Sequence, residues 1–206
     1  MAPGRSDAQV PTCYDAWQKR KANAAVERLY AHLRRALSQF KLMFAPELIG
    51  QLAQRYEFQS DTDALQAGEQ IRAGHCTRAN LERIFQWKTG GRGRSRLAKN
   101  TDQDIADALE LAVTAKTDRA AIAVLKGLNG VEVPVASAIL TAIKPERFTI
   151  IDFRALEALN IKQAYLTIDF YLDYLGECRR LASEHNVPLR TLDRALWQWS
   201  KERGDT

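Results

Sequence analysis

A glycine turn and a carboxylate that follows it are the features of this sequence that could do chemistry. Residues 128–134 read Leu-Asn-Gly-Val-Glu-Val-Pro, and Asp152 lies twenty-two positions after Gly130. Gly130 can adopt a positive φ and close a tight turn between two helices. Pro134 suits the first turn of the second helix, because it loses no needed amide hydrogen there. The exposed amides at the start of that helix can bind an anion such as a phosphate group.

Asp152 has two alternative interpretations. It directly precedes residues 153–159, Phe-Arg-Ala-Leu-Glu-Ala-Leu, which are typical of a helix, so it can be an ordinary helix N-cap. A carboxylate at this place can also be catalytic, either by stabilising a developing sugar cation or by activating water. The two roles are compatible, because a cap holds the carboxylate rigidly.

Helices must position these residues, because helical patterns dominate the sequence and strand patterns are nearly absent. We expect a helix wherever apolar residues recur at helical spacing behind a capping residue or a proline. The helix that follows Gly130 is apolar most of the way round, so we predict that it is central and buried. The predicted class is all-α, with a disordered tail over 1–11 and a single helical domain over 12–204. The expected helices cover 14–40, a stretch from Pro46, 62–71, 78–87, stretches after Thr101 and Thr117, 168–185 and 189–202.

A basic loop is predicted over residues 89–96, Thr-Gly-Gly-Arg-Gly-Arg-Ser-Arg. Arg92, Arg94 and Arg96 can contact phosphates from such a loop, with Trp87 and Lys88 beside them and the aromatic ring able to stack on a base. The alternative is a solvated loop whose arginines contact nothing, with Trp87 packed in the core.

The composition of the chain limits the classes of protein to which it can belong. The 206 residues fit one domain with a substantial core, and 30 Lys plus Arg against 25 Asp plus Glu give a net charge of +5, which permits a polyanionic partner. Cys13, Cys76 and Cys178 lack Cys-x-x-Cys spacing, which argues against a disulfide framework and a cysteine-ligated metal or iron–sulfur site. Apolar runs are too short for a membrane span, and the first residues lack the apolar core of a secretory signal. We therefore expect a cytoplasmic protein with no membrane association.

The run from Leu128 to Asp152 resembles the helix-hairpin-helix DNA glycosylase superfamily. In that family a Leu-Pro-Gly-Val-Gly-type hairpin precedes a helix of small residues, and a catalytic aspartate opens a later helix. Leu128, Gly130, Val131 and Ala136 match this pattern, and the separation between Gly130 and Asp152 is typical of it. The resemblance implies a glycosylase-like helical bundle with two lobes around the hairpin.

The resemblance also implies a function and a set of site residues. Double-stranded DNA is the expected partner, and Asp152 is the expected catalytic residue in the removal of a damaged or mismatched base during DNA repair. Lys126, one turn before the hairpin, either reaches a backbone phosphate or is a solvated lysine. The residues expected to contact DNA are Gly130, Val131, Glu132, Val133, Lys126, Trp87, Lys88, Arg92, Arg94 and Arg96.

Several positions depart from the family's pattern. Glu132 replaces the second hairpin glycine and places a carboxylate where a phosphate would lie. Members that also cleave the strand carry a lysine nucleophile at positions that are Pro134 or Ala123 here. The four-cysteine cluster loop of several members is also absent. The resemblance thus implies a monofunctional glycosylase without a cofactor or an iron–sulfur cluster.

A non-catalytic nucleic-acid-binding or interaction protein on the same scaffold is the alternative. Glu132 and Pro134 favour it, whereas Asp152 and its spacing favour the enzyme. A cleft over Asp152 would support catalysis, and burial of that carboxylate by apolar side chains would support the scaffold.

Overall fold

The computed structural model describes residues 40–56, 60–162 and 165–204, and these contain helices and no strand. The all-α class is therefore confirmed for this part of the chain. The expected tail over 1–11 and nearly all of the expected helix over 14–40 lie outside the described residues. A 3₁₀ turn at Pro46–Leu48 leads into ten helices: α1 (Ile49–Gln54), α2 (Thr62–Arg72), α3 (Arg78–Thr89), α4 (Arg94–Leu97), α5 (Asp102–Thr114), α6 (Asp118–Lys126), α7 (Val133–Ile143), α8 (Phe153–Ala158), α9 (Ile168–Glu184) and α10 (Leu189–Gly204).

Threonine side chains cap three of the helices where the sequence predicts them. Thr77, Thr101 and Thr117 each accept a hydrogen bond from a backbone amide in the first turn of α3, α5 and α6. These bonds satisfy amides that have no acceptor inside the helix. Helix α2 differs, because the Asp61 side chain makes no capping bond and binds Arg190 and Arg194 of α10 instead.

The expectation of a loop over the whole of 89–96 is wrong in its second half, where Arg94–Leu97 forms the short helix α4. The glycines before it explain the turn. Gly90 ends α3 with φ of 62° and Gly93 precedes α4 with φ of 87°, both in the left-handed region that glycine tolerates. Leu97 is buried and anchors the short helix to the core.

Helix α7 is central and buried, as its composition predicts. Val133 and every residue over 136–143 are buried, and α2, α3 and α6 all pack against this helix. The approach of α2 is especially close at Gly68, where a Cβ atom would lie 1.9 Å from the carbonyl oxygen of Ala142. None of the described helices has both the length and the apolar character needed to cross a membrane.

We expect Gly68→Ala to destabilise the fold, because its methyl group would collide with the backbone of α7. Overpacking of this kind typically costs about 1–3 kcal/mol, and here the obstacle is backbone that cannot rotate away. Chemical denaturation measures the change in the free energy of unfolding.

Gly176→Ala is the matched control for this substitution. Gly176 lies inside α9 with open space around its Cβ position, so alanine there should stabilise the helix by about 0.5–1 kcal/mol. Equal stability of the Gly68→Ala variant and the wild type would contradict the close packing of α2 on α7.

Candidate functional site

Asp152 is the N-cap of α8, so the simpler of its two predicted roles is confirmed. Its Oδ1 accepts a hydrogen bond from the amide of Ala155 at 3.0 Å. Its Oδ2 accepts a hydrogen bond from Nζ of Lys88 at 2.9 Å, and Lys88 lies in the last turn of α3. The carboxylate is thus held at both oxygens, by its own helix and by a cation from a distant part of the chain.

The backbone leading to Asp152 is fixed by buried polar side chains. The hydroxyl of Tyr171 donates to the carbonyl of Thr149 at 3.1 Å, and that of Tyr174 donates to the carbonyl of Ile150 at 2.7 Å. The amide of Ile151 donates to Oγ of Ser137 in α7 at 3.1 Å. Helices α7 and α9 therefore determine where Asp152 lies.

The ion pair is mostly buried and still reachable from solvent. The Lys88 side chain is 14% exposed and that of Asp152 is 21% exposed. Burial favours the neutral acid, but the charge of Lys88 and the hydrogen bonds from Lys88 and Ala155 outweigh it, so the pKa of Asp152 lies below its ordinary value. Asp152 is therefore an anion at neutral pH, suited to stabilise a developing positive charge.

A second charged group lies close enough to influence the pair. Asp193 of α10 is buried and forms an ion pair with Arg190, which also binds Asp61 at 2.9 Å. Burial raises the pKa of Asp193 above its ordinary value in spite of Arg190, and repulsion from Asp152 adds to the rise. The region around Lys88 and Asp152 is therefore rich in buried charge.

Aromatic and cationic side chains follow Asp152 on the surface. Phe153 is 71% exposed, which is unusual for a large apolar side chain. The guanidinium of Arg154 lies 5.1 Å from the ring centre of Phe153 and 5.1 Å from that of Trp197. The residue that follows the carboxylate in the chain is thus an exposed aromatic side chain that contacts a guanidinium.

The hairpin at Gly130 packs against the basic segment that contains α4. Gly130 has φ of 83°, and a Cβ atom there would lie 3.0 Å from the amide nitrogen of Leu97. Asn100 joins the two segments, since its Oδ1 accepts the amide of Asn129 at 2.8 Å and its Nδ2 donates to the carbonyl of Asn129 at 3.1 Å. The hairpin and the basic segment thus form one surface.

The charged side chains of this surface point toward solvent. Arg92, Arg94 and Arg96 are exposed, and Arg94 forms an ion pair with Glu82 at 3.3 Å. The carboxylate of Glu132 is 76% exposed and lies 3.5 Å from Nζ of Lys126. Because this pair is near the surface, Glu132 can turn away from an approaching phosphate, and Lys126 offsets its charge.

Three of the sequence-predicted DNA contacts have side chains inside the protein. Val131 and Val133 are buried in the core, so these two residues can offer only backbone groups to a ligand. Trp87 is 7% exposed and its ring lies beneath the guanidinium of Arg190 at 5.6 Å. Trp87 therefore takes the core-packing role that the sequence left as an alternative.

Three surface cavities of about 470, 610 and 570 Å³ occur in the described chain, and neither Asp152 nor Lys88 lines any of them. The smallest borders Trp87 and Arg94. Within the described residues, no three His, Cys, Asp or Glu side chains are grouped in a way that could hold a metal ion. The carboxylate of Asp152 is thus reached from the surface and not from the floor of one of these cavities.

Comparisons of the chain with protein-family models, with curated proteins and with solved structures found no match. The structure brings the predicted residues into two groups. One is the hairpin with the basic segment that contains α4, called the arginine segment below, and the other is Lys88 with Asp152. Sequence reasoning placed Lys88 among the DNA contacts and missed its pairing with Asp152, because no local pattern connects α3 to α8.

We expect Lys88→Met to destabilise the protein most strongly near neutral pH. Removing the cation leaves a partly buried carboxylate unpaired, which costs about 1–3 kcal/mol. The pKa of Asp152 is lowered in the folded state, so its stabilising effect is present above the unfolded pKa of about 3.9 and disappears as the pH falls through the folded pKa. The difference between Lys88→Met and the wild type should therefore shrink below about pH 4.

Denaturation at a series of pH values measures this effect. Lys88→Arg keeps the positive charge and should lose less stability than Lys88→Met. A difference that does not change with pH would mean that the lysine contributes through its packing and not through its charge.

Proposed function

We propose that the protein binds duplex DNA and removes a damaged or mismatched base by hydrolysing its N-glycosidic bond, on a glycosylase-like helical bundle, with Asp152 as the catalytic residue. The proposal rests on one observation. The carboxylate predicted from its spacing to the hairpin is held rigidly at the start of α8, is kept ionised by Lys88 and remains partly exposed. Each property is one that stabilisation of a sugar cation requires.

The surface formed by the hairpin and the arginine segment supports duplex DNA as the partner. Exposed Arg92, Arg94 and Arg96 offer charge to phosphates, and the hairpin offers backbone amides at the start of α7. The amides of Asn129 and Val131 are already bound, to Asn100 and to the carbonyl of Leu128. The amides that follow, at Glu132 and Val133, are the ones that would meet a phosphate.

The proposed chemistry is hydrolytic. The target nucleotide leaves the base stack and its sugar lies beside Asp152. As the bond between C1′ and the base breaks, positive charge develops on the sugar, and the carboxylate stabilises it. Water is the nucleophile in base removal, and the departing base takes the bonding electron pair and a proton. The exposed ring of Phe153 lies next in the chain, where an unstacked base can stack on it.

A non-catalytic DNA-binding protein on the same scaffold is the second candidate. It is favoured by the use of both Asp152 oxygens in structural hydrogen bonds. The two functions share the DNA-binding surface and differ only in the role of Asp152. The salt dependence of DNA binding therefore tests the surface that both candidates share. Substitution of Asp152 distinguishes the enzyme from the non-catalytic protein.

Changing Arg92, Arg94 and Arg96 together to alanine should flatten the salt dependence of DNA binding. Each lost phosphate contact lowers the magnitude of the slope of log K against log salt by roughly 0.9. Fluorescence anisotropy with a labelled duplex, titrated at several salt concentrations, gives the slope.

The control for this prediction replaces Lys116, Arg119 and Arg203 with alanine, which removes the same charge from exposed positions outside the proposed surface. Its slope should stay close to that of the wild type. An unchanged slope in the Arg92, Arg94 and Arg96 variant would exclude the segment as a phosphate-binding element.

Asp152→Asn should abolish most of the base removal while leaving the fold intact. Asparagine is also a good N-cap, so α8 should persist, but its amide carries no charge to stabilise a sugar cation. We expect the single-turnover rate to fall by about two or more powers of ten, the range for a positioned acid or base. Release of bases from a panel of duplexes with single damaged or mismatched bases measures the rate.

Asp173→Asn, on the exposed face of α9, is the matched control and should keep the wild-type rate. Equal activity of Asp152→Asn and the wild type on a shared substrate would reduce Asp152 to a helix cap. Binding of duplex DNA with no base removed from any member of the panel would favour the non-catalytic candidate.

A further inference from the structure

We propose that a stack of aromatic rings and cations on α8 and α10 binds the unpaired nucleotides of single-stranded DNA. The stack contains Phe153 and Arg154 at the start of α8 and Trp197 and Lys201 on α10, and it is called the stacked surface below. The inference rests on the proposed function for its partner, DNA, and needs neither the hairpin nor base removal.

Phe153 is the most accessible member of the stacked surface. It is 71% exposed, because the residues of α8 that face the core are Ala155, Leu156 and Ala158. A single exposed apolar side chain is ordinary in a folded protein, so this exposure alone indicates no ligand. The neighbour makes the difference, since the guanidinium of Arg154 lies 5.1 Å from the centre of the ring. An exposed ring and a cation thus occur together at one place on the surface.

Arg154 is held by aromatic rings and not by carboxylates. Its guanidinium carbon lies 5.1 Å from the ring centre of Phe153 and 5.1 Å from that of Trp197. Among the residues that the structure describes, no hydrogen bond or ion pair involves the Arg154 side chain. Contact with rings satisfies none of the N–H donors of a guanidinium, and these donors match the oxygens of a phosphate. Arg154 is therefore a positioned cation whose donors remain available to a phosphate.

Packing on α10 keeps the second ring of the stacked surface in place. Trp197 lies one turn before Lys201, whose Nζ is 5.8 Å from the centre of the Trp197 ring. The ring of Tyr56 meets Trp197 edge-on, with 5.2 Å between the two ring centres. Trp197 and Lys201 are both half-buried, and α8 packs against α10. Rings and cations therefore alternate across two packed helices.

This alternation matches a DNA strand whose bases are unpaired. In a duplex the faces of the bases are covered by stacked neighbours, so side chains read base edges in the grooves and phosphates. An unpaired strand exposes base faces and phosphates in turn, and aromatic rings and cations bind them together. The proposed function uses Phe153 for one unstacked base, whereas the stacked surface continues to Trp197 and Lys201 and so offers contacts to further nucleotides.

The charges on these two helices also favour an anionic ligand. Glu157 of α8 accepts a hydrogen bond from Ser200, and Glu202 of α10 pairs with Arg55 at 2.9 Å. Neither carboxylate binds Arg154, so a phosphate that binds this guanidinium displaces no acidic group of the protein. Binding at Arg154 therefore costs the fold no ion pair.

Fluorescence anisotropy of the full chain with a labelled oligothymidylate tests the inference, because such a strand forms no duplex with itself. We expect saturable binding by the wild type. Phe153→Ala should weaken it by about 5-fold to 150-fold, the range for the loss of one stacked base. Phe153→Trp keeps an aromatic ring and should bind as the wild type does. Leu111→Ala is the matched control, since Leu111 is 57% exposed on α5, and the affinity should not change.

Arg154→Met tests the charge in the same assay. The loss of one phosphate contact with a single strand should lower the magnitude of the slope of log K against log salt by roughly 0.7. Lys116→Met removes an exposed charge outside the stacked surface, and its slope should equal that of the wild type.

The inference is overturned if the wild type does not bind oligothymidylate, if Phe153→Ala binds it as tightly as the wild type, or if Arg154→Met leaves the slope unchanged. Loss of binding only when Arg92, Arg94 and Arg96 are changed together would also overturn it, because the strand would then lie on the arginine segment. Each of these results leaves the proposed function standing, since duplex binding and base removal are measured separately. Oligothymidylate binding without any duplex binding would instead overturn the proposed function and leave the inference intact.

Discussion

The burial of α7 is the constraint on which the rest of the described structure depends. A helix that is apolar on nearly every side must be surrounded, and α2, α3 and α6 surround it. Two features of the site are connected to this helix. Gly130 begins the turn into the helix, and Ser137 inside it accepts the amide of Ile151, which precedes Asp152. The central helix α7 therefore determines where the hairpin and the carboxylate lie relative to each other.

The ion pair between Lys88 and Asp152 forms because the helices that pack around α7 bring these two residues together. It joins the end of α3 to the start of α8 and holds an anion where burial alone would favour a neutral acid. A pair of this kind contributes little net stability, because desolvation of both charges offsets their attraction. Shifted pKa values of this kind cluster at functional sites and also occur in structural ion-pair networks.

The basic surface follows from a second close packing. Asn100 binds the backbone of Asn129 on both its amide and its carbonyl, and Leu97 anchors the arginine segment to the core. The segment is therefore a fixed extension of the hairpin and not a separate loop, so its arginines and the hairpin lie on one surface. The exposed Glu132 lies within the same surface, and its pairing with Lys126 lessens the repulsion that its sequence position suggests.

The sequence by itself determined most local features of the described residues: the helices other than α4, the threonine caps of α3, α5 and α6, the turn at Gly130 and the place of Asp152 before α8. These depend on residues within a few positions of one another, which is why spacing and residue type were sufficient. Only the tertiary structure decided that Lys88 pairs with Asp152, that Asp61 binds α10 instead of capping α2, and that Trp87 is buried. Each of these contacts depends on how distant helices pack around α7, and no local pattern in the sequence carries that information.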